Sequence, residues 1–186
     1  MTSLDQLTSY YRLLRQHGLN DSHSGNASIR IANDMWITPT GACADTLTTA
    51  DLVFCPGDTP SPSSASQDNV LHRAIYKQRN DVNAVLHGHP VHAIALTMNG
   101  ADFVPEDFEG KIYFGAVPVL DVDYERYFDL SVDAISRALV DNDIVIARGH
   151  GVYSCANTLE QAYKWINSLE ISARINWISQ LNNSRP

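Results

Sequence analysis

Cysteine is scarce in this chain, long apolar runs are missing and basic residues are outnumbered. Cys43, Cys55 and Cys155 form no Cys-x-x-Cys pair and cannot all be paired within one chain. That favours small buried thiols in a reducing compartment over a disulfide framework. No apolar stretch approaches the roughly twenty residues that a bilayer span needs. Residues Met1 to Gln6 lack the basic and apolar regions of a signal peptide, so a cytoplasmic protein with no membrane partner is expected. Lys and Arg total 13 against 21 Asp and Glu, a net charge of −8 that lacks the electrostatic footprint of a nucleic-acid binder. No repeat or low-complexity block interrupts the 186 residues, and 44% hydrophobic content suits a single domain over 1–186 with a sizeable core.

What is present is a regular alternation of helix and strand signals. Ser3 with Gln6 reads as a capping box, followed by Leu4, Leu7, Tyr11 and Leu14 at helical spacing until Gly18. Ala27 to Ala32, a turn at Asn33-Asp34 and Met35 to Thr38 read as a β-hairpin. Pro56 to Ser64 reads as a surface excursion, and a helix from about Asp68 to Gln78 should bury Val70, Leu71, Ala74 and Ile75. A strand from Val82 to Leu86 and a short helix from Pro90 through Met98 follow. Ile112 to Leu120 is strand-like with a break at Pro118, Leu130 to Val140 suits a helix, and Ile144 to Ala147 and Gly151 to Cys155 suit strands. Thr158 and Gln161 open a long helix carrying Leu159, Ala162, Ile166, Leu169, Ala173 and Trp177. The implied class is a layered α/β domain whose hairpin-like connections disfavour an all-parallel sheet.

The densest chemical signal is Val85-Leu-His-Gly-His-Pro90. Alternate side chains of an extended strand share a face, so His87 and His89 can converge on one metal ion while Leu86 points away. A third histidine, His150, follows the apolar run Ile144 to Ala147; three imidazoles with an open fourth position suit catalysis. Taken singly, a histidine such as His87 or His89 is more often a satisfied core group than a ligand. Gly25-Asn26-Ala27-Ser28 and Thr38-Pro39-Thr40-Gly41 offer amides and hydroxyls of the kind that cradle a phosphate oxygen, although turns contain such residues for backbone reasons too. Ser66 and Gln67 stand at a helix start, where they could add donors to an anion site or simply cap the helix. Asp68 stands there as well and could either complement the helix dipole or move protons beside a metal-bound group. His72, one turn later, reads as packing or capping.

Together the motifs GLN at 18–20, SGNAS at 24–28, ITPTG at 37–41, SQD…H at 66–72, YKQRNDVNAVLHGHPVHA at 76–93, EGKIYFGAVPV at 109–119 and RGHGVYS at 148–154 resemble the class II aldolase/adducin superfamily, of fuculose-phosphate aldolase and ribulose-phosphate 4-epimerase type. The resemblance implies a three-layer αβα domain with a mainly antiparallel central sheet, assembled as a homotetramer. It implies Zn²⁺ or another divalent metal held by His87, His89 and His150, and a substrate phosphate held by Asn26, Thr40, Gly41 and Ser66. The implied reaction is cleavage of a small phosphorylated ketose by a zinc-dependent aldolase, with Asp68 as proton carrier.

The departures from the pattern leave rival readings. Aldolases of the family usually carry glutamate where Asp68 stands, whereas the 4-epimerases carry aspartate; losing a methylene retracts the carboxylate by roughly 1.5 Å, and positioning errors of about 1 Å can matter a hundredfold in rate. The epimerases' second acidic group aligns with Lys111 and the aldolases' active-site tyrosine lies nearest Glu109, so Glu109, Lys111 and Tyr113 are the candidates for a second proton donor. No tyrosine occurs beyond Tyr163 to supply one from the C-terminal end. A 4-epimerase, a dehydratase or decarboxylase, and a non-catalytic adducin-like interaction domain are the alternatives.

Overall fold

A computed structural model describes residues 2–57 and 59–183, the last of these by its backbone alone. The apolar row at helical spacing forms α1 (Ser3–Gln16) and buries Leu7, Tyr11 and Leu14. Its cap lies one residue earlier than the Ser3 reading: the Thr2 hydroxyl accepts from the Asp5 N–H, and the Asp5 carboxylate accepts from the Thr2 N–H. The alternating segment and its Asn33-Asp34 turn form the hairpin β1 (Asn26–Ile31) and β2 (Asp34–Ile37). An unexpected short edge strand, β3 (Val53–Cys55), pairs with β2. The loop after it is tied down by Arg73, which donates to the Pro56 and Gly57 carbonyls and to the Ser61 hydroxyl.

Helix α2 (Asn69–Gln78) buries Leu71, His72, Ile75 and Tyr76. Val70, expected inside, is 56% exposed, because the buried stripe begins one residue later and runs through His72. The fully buried strand β4 (Ala84–Gly88) and the short helix α3 (Val91–Leu96) follow as their apolar content implies.

The segment expected to be a strand over 112–120 is mostly something else. Phe108–Tyr113 is a helix, α4, and the strand β5 is Val119–Leu120. The Asp107 side chain accepts from the Gly110 N–H and starts the helix, and Gly110 packs so closely on Ser172 that an added Cβ would come within 2.5 Å of its hydroxyl. Tertiary contact and an N-cap override the strand propensity of Ile-Tyr-Phe. The remaining elements are α5 (Tyr127–Asp141), β6 (Ile144–Ala147), β7 (Gly151–Ala156) and α6 (Leu159–Asn183), the last with the Thr158 hydroxyl accepting from the Gln161 N–H.

The strands form a sheet ordered β3-β2-β1-β4-β7-β6-β5, antiparallel throughout except at β5 and β6. Helices α1 and α6 cover one face, where Ala27, Ile29, Leu86, Ile146 and Val152 meet Leu7, Tyr11 and Ile166. Helices α2 and α5 cover the other, where Val85, Val145 and Cys155 meet Leu71, Ile75, Ile135 and Leu139. The result is a three-layer αβα arrangement on a mainly antiparallel sheet. Cys43, Cys55 and Cys155 are all free, and burial pushes the Cys155 thiol up to about 12, which suits inert packing. Among the described residues no helix is long and apolar enough to cross a membrane.

Candidate metal centre and active site

Strand β4 is central, and its end delivers His87 and His89. His89 lies just past the strand, where its N–H donates to the Leu19 carbonyl at 2.6 Å and to the Asn20 side chain at 2.9 Å. His150 sits in the turn joining β6 to β7, its N–H donating to the Ala147 carbonyl. Because β7 pairs with β4, that turn returns His150 to the other two. The rings of His87 lie 4.6 Å from His89 and 4.9 Å from His150, and His89 lies 5.3 Å from His150. Two glycines make the approach possible. A Cβ on Gly151 would fall 2.6 Å from the Gly88 carbonyl and 2.7 Å from the His87 ring. At Gly25, φ is +68° and a Cβ would fall 2.4 Å from the His87 carbonyl, so β1 can begin beside His87 with glycine there.

One ligand atom from each of the three imidazoles lies within 4.8 Å of the others, a donor set suited to a divalent metal. The His87 Nδ1 lies 3.0 Å from the Val152 carbonyl, which accepts its N–H and leaves Nε2 as the free ligand. The buried His150 Nδ1 has no protein partner among the described residues. Burial and the neighbouring imidazoles hold His87 well below the ordinary histidine range, burial and His150 bring His89 down to about 4, and burial lowers His150. All three are therefore neutral near pH 7, the form that binds metal.

Asp68 stands at the N-terminus of α2 but makes no capping bond with its side chain. Its Oδ2 instead accepts from the Asn26 amide at 2.8 Å and from the Tyr153 hydroxyl at 3.1 Å. Tyr153 was not singled out in the sequence, and nothing local marks it. It lies directly across from His87 in the β4–β7 ladder, its ring stacked on that imidazole at 4.0 Å and 5°. The Tyr127 hydroxyl is 3.3 Å from that of Tyr153. Burial, with Asp68 nearby, raises the Tyr153 hydroxyl well above its usual value, and burial lifts Tyr127 to about 12, so both stay protonated. His72 is fully buried and bonded through Nδ1 to the Ser28 hydroxyl at 2.7 Å, a packing group as expected.

A cavity of about 660 Å³ joins these groups. Asn26, Thr40, Gly41 and Ser66 line it together with Asp68, His87, His89 and His150. Its wall on the β5 side comes from Val122, Tyr124, Tyr127 and Phe128, a segment that carried no recognised motif. Glu109, Lys111 and Tyr113 are not part of the lining. They lie on α4, and the Tyr113 ring packs under the Lys164 ammonium at 4.0 Å, on the side of α6.

Known proteins resemble this chain over most of its length. It is 28% identical to the L-fuculose phosphate aldolase of Methanocaldococcus jannaschii over 159 residues, 84% of this chain and 86% of that protein. It is 31% identical to the 3,4-dihydroxyphthalate decarboxylase of Arthrobacter keyseri over 169 residues, 81% of this chain and 68% of that protein. The crystal structure of L-fuculose-1-phosphate aldolase from Thermus thermophilus superimposes with a TM-score of 0.91 at 29% identity, covering 99% of this chain and 98% of that one. These similarities support an aldolase-type lyase. Residues 5–177 match the Class II Aldolase and Adducin N-terminal domain, and the chain belongs to that family.

Proposed function

We propose that this protein is a zinc-dependent aldolase that cleaves a small phosphorylated ketose. The observation that carries the reading is the meeting of three neutral imidazoles, a carboxylate and amide-rich turns in one cavity. His87, His89 and His150 hold the metal; Zn²⁺, when bound, supplies a Lewis acid for the substrate carbonyl. The Thr40 and Ser66 hydroxyls, the Gly41 N–H and the Asn26 side-chain amide anchor the phosphate, fixing the sugar's orientation. Asp68 carries the proton: the β-hydroxyl loses one as its carbon becomes the aldehyde and the carbon–carbon bond breaks, and one is returned to the carbon next to the carbonyl. The fully buried strands β4 and β7 keep water from the inner side of these groups.

A second reading, a metal-dependent 4-epimerase, is favoured by one feature: an aspartate rather than a glutamate at position 68. The similarity to a decarboxylase adds a carboxylated substrate, read by release of carbon dioxide, to the test below. The intact histidine cluster argues against a non-catalytic adducin-like role. The deciding experiment incubates zinc-loaded protein with a panel of ketose and aldose phosphates. Release of an aldehyde with dihydroxyacetone phosphate is expected; a single isomeric sugar phosphate would select the epimerase, and failure to bind a divalent metal would overturn both.

The reading includes a homotetramer working in the cytoplasm, with residues 1–186 acting as one domain. Val91, Ile171, Ile175, Ile178 and Leu181 leave α3 and α6 with exposed apolar residues that assembly would cover. Light scattering that finds a monomer at working concentration would remove the tetramer from it.

A further inference from the structure

Tyr153 has no part in the reaction as proposed above, yet it joins two of its components. Asn26, His87 and Tyr153 are direct cross-strand neighbours on β1, β4 and β7. The middle residue of this row belongs to the histidine cluster. The outer two end on one oxygen of the same carboxylate, Asp68 Oδ2, at 2.8 and 3.1 Å. Tyr153 is fully buried, so its hydroxyl cannot turn to solvent. Its single proton is committed to Asp68, which makes Tyr127, 3.3 Å away and part of the cavity wall, the donor in the bond between the two phenols.

We infer that Tyr153 is a positioning residue, whose hydroxyl fixes the plane of the Asp68 carboxylate and whose ring sets the plane of His87. The role rests on the reading of Asp68 as the proton carrier. One donor on a carboxylate oxygen leaves the group free to pivot about that contact; two donors from opposite sides of the row remove the pivot. Among the described residues, donors converge on Oδ2 and none on Oδ1, which leaves Oδ1 as the oxygen that faces the reaction. Hydrogen bonds to an ionised carboxylate are the stronger kind, so the restraint is firm. It matters more for an aspartate than for a longer side chain, because a short carboxylate has less reach with which to recover a misplaced oxygen.

Tyr153→Phe keeps the stacked ring and removes the hydroxyl. In the zinc-loaded enzyme, kcat is expected to fall about 10- to 100-fold, the scale that misplacement by a fraction of an ångström to about 1 Å produces. KM and bound zinc are expected to stay at wild-type values. In an Asp68→Asn background the same change should cost nothing further, because the residue acts through that carboxylate. Tyr127→Phe, which leaves Tyr153 in place but removes its outer donor, should show the same pattern at smaller size and serves if Tyr153→Phe does not fold. A merely structural hydroxyl would give an equal loss in both backgrounds or a change in zinc content, and either result overturns the role. Wild-type turnover in Tyr153→Phe overturns the role alone and leaves the aldolase reading standing. A zinc-loaded wild type that cleaves no member of the panel overturns the aldolase reading and the role with it.

Discussion

On the side of the sheet facing α1 and α6, the central strands present Ala27, Ile29, Ala84, Leu86, Ile146 and Val152 to an apolar interior. On the side facing α2 and α5 the same strands present Asn26, Ser28, His87 and Tyr153, in addition to Val85, Val145 and Cys155. Both faces are buried, so the difference is not one of exposure. Each polar group on the second face has a specific partner: Asn26 and Tyr153 hold Asp68, Ser28 holds His72, and His87 is bonded to the Val152 carbonyl. A buried polar group is tolerated when bonded, and a row of them at one end of the sheet makes a site out of what is elsewhere core. One face of the sheet therefore presents apolar core at these positions, while the other adds to its own core a row of bonded polar groups that ends at the cavity.

The largest way to separate the faces is His89→Ala. Bound zinc and turnover are expected to fall at least about a thousandfold while the fold persists, as metal analysis and circular dichroism would show. Asp68→Asn should lower kcat about 10²- to 10⁴-fold with zinc content unchanged, the range expected for losing a general acid–base group. Leu86→Ala, next to His87 but on the apolar face, should do the reverse: about 2–5 kcal/mol of stability lost in denaturant melts, with zinc affinity retained.

Acid should strike the polar face. Burial brings His72 and His89 down to about 4, below the ordinary 6.5, so they remain neutral in the native state and are protonated on unfolding. The unfolded state then binds more protons between these values, and the stability of the metal-free protein should decline as pH falls from about 6.5 towards 4. Melting curves across that window that do not shift would contradict the assigned protonation states. The smallest effect is expected at Val70, on the outward side of α2, where Val70→Ala should change stability by no more than about 0.5 kcal/mol.

Much of this architecture was legible because local patterns encode it. The 3.6-residue period of Leu7, Tyr11 and Leu14, the alternation after Ala27 and the capping residue at Thr158 depend on neighbours a few positions away. The readings failed where a distant contact decided. Ile112 to Phe114 carry strand propensity, yet α4 forms because Asp107 caps it and Gly110 nests against α6. Strand β3 is three residues long, too short for any period to register. Within the site, His87, His89, His150 and Asp68 stood out by residue type and spacing, whereas Tyr153 looked like an ordinary strand aromatic. Glu109, Lys111 and Tyr113 are drawn off by α4 to the side of α6, away from this chain's cavity.

The order and type of most elements, and the chemical identity of the groups able to bind metal or move protons, were carried by the chain as written, since propensity, periodicity and side-chain chemistry are local properties. Which of those groups meet was a matter of strand register. Asn26, His87 and Tyr153 lie far apart in the chain and become neighbours because β1 and β7 both pair with β4 in a single alignment. A slip of one residue in either ladder would turn its polar member to the opposite face. That alignment is set by two packed cores acting on the whole sheet at once, which no stretch of sequence contains.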